Sequence, residues 1–182
     1  MNKIDKKNAP LNLLFKKIYS KKVFIISGKN SFYKSGAKDI FLKKINKDNS
    51  VFYFKKTKNP EINELIKISK KILKFKPEII LGIGGGAVID YVKLASTRYK
   101  IVYNKKNPIV EVEKKIAKTI IVPTTSGSGA ESTKFSVLYI KNKKFSIESE
   151  MLKPDKFYFV PSFNLKNNMY QRACSGLDAF CQ

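Results

Sequence analysis

The chain has 182 residues, 43% hydrophobic and 12% aromatic. That is enough apolar material for one ordinary domain or one and a fraction, and it excludes a disordered, collagen-like or coiled-coil chain. Its 37 basic and 14 acidic residues leave a net charge of +23, and it has no histidine, so a Ser-His-Asp triad, a Cys-His pair and a His-ligated zinc within these residues are excluded.

Residues 1–22 are lysine-rich and read as an arm with one apolar knot, Leu11 to Phe15, that partly packs on the domain. Val23 to Ser27 is a continuous apolar run ending at Gly28, as in a buried parallel strand. A helix is predicted over Lys34 to Ile45 and a second strand at Val51 to Phe54. The next helix has Asn59 as its N-cap, Pro60 at its first position, and Glu61 and Glu64 in its first turn, where the helix dipole favours acids. Its apolar positions (Ile62, Leu65, Ile66, Ile72, Leu73) keep a 3.6-residue period up to the stop at Pro77. A third strand, Glu78 to Leu81, precedes a helix over Ala87 to Thr97, and a fourth is Thr119 to Val122. Phe135 to Ile140 and Lys144 to Ile147 form a predicted hairpin turned at Lys141–Lys143; a last strand is Phe157 to Val160, and the pattern turns helical from Asn167. Strands alternating with helices predict an α/β fold with a doubly wound, mostly parallel sheet. The expected division is an arm at 1–22, an α/β domain at 23–162 and the start of a helical domain at 163–182.

Three segments carry residues suited to chemistry. Gly82-Ile83-Gly84-Gly85-Gly86-Ala87 joins a predicted strand to a predicted helix. Such glycines let main-chain N–H groups close on a pyrophosphate at a helix N-terminus; a tight turn that merely packs the helix on the sheet is the alternative. The glycines follow the third strand, whereas a Rossmann fingerprint ordinarily follows the first. Pro123 to Thr133 holds six hydroxyl residues and two glycines after a buried strand, at the sheet edge where ligands of open α/β folds bind; an ordinary polar loop is the alternative. Asp178 and Gln182 are four apart, so on a helix they share a face and could reach one metal ion, or simply form a polar face.

In this order the three segments resemble the iron-containing alcohol dehydrogenase family. The matching residues are Gly84-Gly85-Gly86 with Asp90 and Lys93, Pro123 to Thr133, and Asp178-Ala179, with Asn59-Pro60 before the second helix. The resemblance spans about 23–182. It implies a dinucleotide-binding domain followed by a helical metal domain, with hydride passing between NAD(P)H and a carbonyl carbon, and a divalent metal, Fe or Zn, polarising the carbonyl oxygen. By position it assigns Gly84, Gly85, Gly86, Ala87 and Val88 to the pyrophosphate. Asn59, Thr124, Thr125, Thr133 and Lys144 go to other parts of the cofactor, and Asp178 and Gln182 to the metal. Asp90 and Lys93 are given only a role in the structure of the cofactor loop.

Three departures from the family pattern matter. Gly28 and Lys29 stand where an Asp often binds the adenosine ribose, so NADPH is expected to be accepted. Gln182 replaces a His, and an amide is a weaker ligand for a transition metal than imidazole. The remaining two ligands of the family, both His, fall outside these residues, so the expectation is a fragment or truncated product without turnover of its own. The 130–133, 144–146 and 178–182 segments look like the phosphonoacetaldehyde reductase subgroup, implying an anionic aldehyde; a neutral aldehyde or alcohol is the other option. A dehydroquinate-synthase-like cyclase and a non-catalytic nucleotide- or polyanion-binding module are the rivals. Only Arg98 and Arg172 are arginines and the lysines are spread along the chain, so no specific nucleic-acid partner is expected. No apolar run approaches a membrane span, the N-terminus has no secretory h-region, and Cys174 and Cys181 make no disulfide framework. A cytoplasmic setting without membrane partners follows as an expectation, and the resemblance allows a homodimer.

Overall fold

The computed structural model describes residues 3–104 and 107–181. Helix α1 (Lys3–Ile18) leads into β1 (Val23–Gly28), and α2 (Lys29–Lys34) and α3 (Ala37–Lys44) carry the chain to β2 (Ser50–Lys55). Helix α4 (Ile62–Phe75) returns it to β3 (Ile79–Gly84), followed by α5 (Gly86–Ala95). An antiparallel hairpin, β4 (Thr97–Asn104) and β5 (Asn107–Lys115), precedes β6 (Lys118–Pro123). A second hairpin, β7 (Phe135–Ile140) and β8 (Lys143–Glu148), and a short β9 (Lys156–Phe157) precede α6 (Pro161–Leu165) and α7 (Met169–Cys181).

The central sheet has the order β2-β1-β3-β6-β9 and every pairing in it is parallel. Side chains alternate across it with period two. Val23, Ile25, Leu81, Ile83 and Val122 face one core with α1, α2 and α3, while Phe24, Ile26, Ile80 and Ile121 face the other with α4, α5 and the hairpins. Both faces are covered, as an all-parallel sheet requires, and the fold is the doubly wound α/β arrangement the pattern predicts. Among the described residues no helix is long and apolar enough to cross a membrane.

Several elements differ from the sequence expectation. The N-terminal segment is a helix, not an arm with a knot: Leu11, Leu14, Phe15 and Ile18, spaced i, i+3, i+4, i+7, are buried in the first core. The helix expected over 34–45 is α3, starting at Ala37, and an unexpected short helix α2 precedes it; the two are separated where Gly36 takes a left-handed conformation (φ 82°) and the Ser35 hydroxyl accepts from the Ala37 amide. Helix α4 starts at Ile62 with Glu61 as its cap, not at Pro60. The Tyr139 amide donates to the Pro60 carbonyl and the Glu61 amide to the Tyr91 hydroxyl, which keeps residues 60–61 extended. Helix α5 stops at Ala95, where the Ser96 and Thr97 hydroxyls donate to the Lys93 and Leu94 carbonyls, and Thr97 opens a hairpin that the sequence expectation lacks. In the last strand only Lys156–Phe157 pairs, since Val160 already caps α6.

Candidate functional site

Strand order reverses between β1 and β3: the chain moves outward from β1 to β2, then returns to place β3 on the other side of β1. At such a switch point the loops leaving the carboxyl ends of the strands separate and open a crevice. Gly28 ends β1 and Gly84 ends β3, and the glycine segment belongs to this crevice although it follows the third strand.

The local geometry demands those glycines. A Cβ on Gly84 would stand 2.6 Å from Val88 Cγ2 and 2.8 Å from Val88 Cβ, and one on Gly85 would stand 2.7 Å from the Thr125 hydroxyl. Gly85 caps α5 in an extended conformation with no side-chain hydrogen bond. The first amides of α5 therefore have no capping side chain and are available to an anion at the positive end of the helix. Opposite them, the Thr124 amide donates to the Gly84 carbonyl at 3.1 Å, tying the hydroxyl-rich loop to the glycine turn. The Thr124 hydroxyl is buried and has no hydrogen-bond partner among the described residues, which marks a polar group awaiting one.

Two connected openings border this turn. One, of about 1100 Å³, runs from Gly28 along Lys29, Ser31 and Lys34 and past the 54–58 segment to Thr124 and Thr125. Lys29, Lys34, Lys55, Lys56 and Lys58 line it without a carboxylate among its lining residues. The other, of about 390 Å³, is bordered by Gly86, Ser126, Ser128, Cys174 and Asp178, and shares Thr125 and Gln171 with the first. The link before helix α7 reaches this side through the Asn167 side-chain amide, which donates to the Thr124 carbonyl at 2.8 Å. Helix α7 itself passes close to Gly127 (φ 114°), where a Cβ would collide with the Ser175 carbonyl oxygen.

The structure thus brings Gly86, Thr124, Thr125 and Asp178 to the two openings, with Gly84 and Gly85 held behind them against Val88, Thr124 and Thr125; Ala87 is in the first turn of α5 and lines neither opening. Val88 is buried beneath the glycine turn, packed on Gly84. Asn59 stands just beyond the lysine-lined loop, and its carbonyl accepts from the Thr57 hydroxyl at 2.7 Å. The Thr133 hydroxyl accepts from Lys93 Nζ at 3.1 Å and is turned to that contact. Lys144 lies on β8, exposed, opposite Tyr139, and is not among the residues lining either opening. Gln182 lies outside the described residues.

A catalytic metal takes three protein ligands and leaves a position open. Among the described residues no group of three or more His, Cys, Asp or Glu side chains converges to hold one, so the described donor set does not make a metal centre. A dinucleotide fits better: an uncapped helix start and two glycines without room for a Cβ adjoin a cationic opening bordered by Thr124, whose hydroxyl has no partner among the described residues.

Charged groups under the site are unusual for being buried. Lys93 is fully buried on α5, its Nζ donating to Thr133 and to the Phe135 carbonyl at 2.7 Å. Burial pushes its pKa down to about 8, with Asp90 and Glu131 opposing the shift. Burial likewise pushes Asp90 up to about 6, opposed by the Val137 amide, the Lys93 charge and the Ser136 hydroxyl. Glu64 is 4% exposed. Burial would raise its pKa, but hydrogen bonds from the Thr57 hydroxyl, the Lys56 and Thr57 amides and the Tyr91 hydroxyl hold it below the ordinary carboxylate value. Sequence reasoning places Glu64 at a helix start for its charge alone and misses this role. Its spacing beside Leu65 and Ile68 on the buried face of α4 is the signal that could have found it.

A family model described as iron-containing alcohol dehydrogenase matches residues 8–159. Aldehyde-alcohol dehydrogenase 2 of Entamoeba histolytica is 26% identical over 175 residues, covering 86% of this chain and 20% of that protein. Among solved structures, the sulfoacetaldehyde reductase of Bifidobacterium kashiwanohense in complex with NAD+ superposes with a TM-score of 0.77 at 21% identity, covering 97% of this chain and 48% of that one. The NADH-dependent butanol dehydrogenase A of Thermotoga maritima gives 0.76 at 22% identity, covering 99% and 46%. The chain spans less than half the length of each of these three relatives. With the family model covering most of its length, and the glycine turn and hydroxyl-rich loop meeting at the switch point, the chain belongs to the iron-containing alcohol dehydrogenase family.

Proposed function

We propose that these residues form the cofactor-binding half of an NAD(P)H-dependent aldehyde reductase, with an anionic two-carbon aldehyde, phosphonoacetaldehyde, as the substrate and 2-hydroxyethylphosphonate as the product. The observation that carries the cofactor reading is the glycine turn Gly84–Gly86. It stands at the switch point, closed to any Cβ at its first two positions, and opens α5 toward the unpartnered Thr124 hydroxyl. Names of two solved structures of this fold, one in complex with NAD+ and one NADH-dependent, support it. The substrate reading rests on the 130–133, 144–146 and 178–182 segments of the sequence.

In this reading the bound nicotinamide supplies the hydride. The amides at the start of α5 hold the pyrophosphate, and Thr124 and Thr125 orient the neighbouring sugar and amide groups by hydrogen bonding. The lysine-lined opening takes the adenosine end. Its five lysines and lack of a carboxylate suit a 2′-phosphate, so NADPH is accepted. Asp178, on the opposite border, faces the reacting end. The described residues form no metal centre, and these 182 residues by themselves bind cofactor without turnover. The family match favours this reading over a dehydroquinate-synthase-like cyclase and over a polyanion-binding module.

Titration of the full chain with NADPH, NADH and duplex DNA at roughly 50 and 200 mM salt tests the reading. The expected result is saturable dinucleotide binding that changes little with salt, whereas any DNA binding falls by orders of magnitude. Dinucleotide binding that is absent, or that collapses with salt in step with DNA, would overturn it. Oxidation of NADPH dependent on phosphonoacetaldehyde by the 182-residue chain would overturn the statement that it lacks turnover.

A further inference from the structure

One buried carboxylate has no part in hydride transfer or in holding the pyrophosphate. The carboxylate of Glu64 accepts hydrogen bonds from the Lys56 amide (2.6 Å), the Thr57 amide (2.8 Å), the Thr57 hydroxyl, the Tyr91 hydroxyl (3.2 Å) and the Tyr53 hydroxyl (3.2 Å). These donors come from β2, the loop after it and α5. No salt bridge among the described residues includes Glu64, so its direct partners are neutral donors, with the Lys55 charge near enough to feel the carboxylate. Burying a carboxylate on such terms is costly, and an apolar side chain would serve folding as well. The arrangement makes sense if the shape of the loop matters.

That loop is one wall of the lysine-lined opening. Lys55, Lys56, Thr57 and Lys58 all border it. With Thr57 held by Glu64, the carbonyls of Thr57 and Lys58 accept from Lys55 Nζ at 2.6 and 3.2 Å. The Lys55 stem is thereby laid across the opening, its Cε 3.9 Å from where a Cβ on Gly28 would be. The Tyr91 hydroxyl reaches the Asn59 carbonyl at 3.2 Å and accepts from the Glu61 amide at 2.7 Å. Because Tyr91 belongs to α5, the same network ties the loop to the helix that carries the glycine turn.

We propose that Glu64 is a positioning residue for cofactor selection: it holds the Lys55–Asn59 loop so that the Lys55 ammonium stands at the adenosine end of the crevice, and so sets the preference for NADPH over NADH. The role rests on the proposed cofactor-binding function. Glu64 touches no cofactor atom; it acts through Lys55. Glutamine at this position keeps the size but presents an NH2 group to a set of donors, so at least one loop contact is lost.

The test compares the full-length wild type with Glu64→Gln, Lys55→Met and the double variant, reading NADPH and NADH affinities together with amide exchange at Lys56 and Thr57. In Glu64→Gln, exchange at both amides should accelerate, and NADPH affinity should fall about tenfold, the scale of a charge-assisted hydrogen bond. NADH affinity should fall much less. Lys55→Met should shrink the NADPH-to-NADH ratio by a similar factor without faster exchange at Lys56, and the double variant should add little, as for residues acting in one chain of contacts. Equal losses for both dinucleotides in Glu64→Gln would show a merely structural role and overturn the proposal. So would an unchanged ratio in Lys55→Met, a change at a half-buried strand end outside both cores that keeps the test valid if Glu64→Gln does not fold. A wild type that binds neither dinucleotide overturns the cofactor reading and this role with it. A wild type that binds both, beside variants with the wild-type ratio, overturns this role alone.

Discussion

The crevice has one wall from the sheet and one from α7, and the two are held very differently. On the sheet side, β1, β3 and β6 are buried along almost their whole length, and α5, which packs on them, has seven buried residues. On the other side α7 buries none of its residues, and Met169, Tyr170, Leu177 and Phe180 are each exposed by 65% or more. The sheet wall is thus preorganised before any ligand arrives, while the contacts toward the hydroxyl-rich loop on the α7 side include Asn167, just before the helix, on Thr124 and Ser175, at its middle, against Gly127. In the proposed function most of the cofactor contacts fall on the first wall, with Gln171 of α7 bordering the same opening. Regions of low local stability open independently of the fold, so the two walls should respond separately to substitution.

The largest effect should come from the sheet wall. Gly84→Ala puts a methyl 2.6 Å from Val88 Cγ2 and 2.8 Å from Val88 Cβ. The nearer contact is a side-chain tip, but the second is fixed to the α5 backbone, so the helix start must shift. Overpacking of this kind costs about 1–3 kcal/mol. We expect a lower urea midpoint together with loss of most dinucleotide affinity. If affinity survives in the folded variant, the glycine turn is only a packing device and the contrast between the walls loses its functional meaning.

A second effect sits beneath the same wall. Asp90 has its pKa raised to about 6 by burial, against an ordinary value of 3.8. The folded state therefore binds more protons than the unfolded one between those values. The group's contribution to stability is fully present below about pH 4 and is lost as pH rises through 6. Asp90→Asn carries no such titration. The stability of the wild type relative to this variant should decline by on the order of 2 kcal/mol from pH 4 to 7, measured by urea unfolding at each pH. A difference that is flat or rises over that range would show that Lys93 and the Val137 amide keep Asp90 ionised in the fold.

Much of the sheet wall is legible in the sequence because its causes are local. The run Val23 to Ser27 and the pairs of apolar residues at 79–81 and 120–122 announce buried strands by composition alone. The glycines at 84 and 85 announce a close approach that no other residue allows. What the sequence hides is the set of polar contacts made across long separations. Glu64 reads as a dipole-favoured acid at a helix start, and nothing nearby in the chain reveals that Tyr91, 27 positions on, points at it. The β4–β5 hairpin does carry a signal, the alternation of Val110 and Val112 with Glu111 and Glu113. It is masked by the lysines and by the brevity of the link to α5. The α1 stripe has the right spacing, but the lysines around it make a helix look like an arm. High lysine content blurs the polar–apolar contrast on which periodicity depends, and it does so most at the edges of the domain.

The smallest effect belongs to the α7 wall. Asn167→Ala removes the hydrogen bond to the Thr124 carbonyl, worth about 1 kcal/mol, and leaves the sheet untouched. Since α7 contributes no buried residue to either core, global unfolding in urea should move little. Local opening should increase about fivefold, the equilibrium equivalent of that energy, and limited proteolysis within 169–181 should speed up to match. Gly127→Ala acts at the same joint from the other side. It forces a Cβ toward the Ser175 carbonyl at a backbone angle that side chains rarely adopt, so it should release α7 more fully while dinucleotide affinity stays near the wild-type value. Loss of affinity in parallel with release of α7 would mean that the helix is part of the cofactor site and that the crevice is a single cooperative structure. Retained affinity would place Asp178 on a movable wall, brought to the reacting end of the crevice only when α7 is docked.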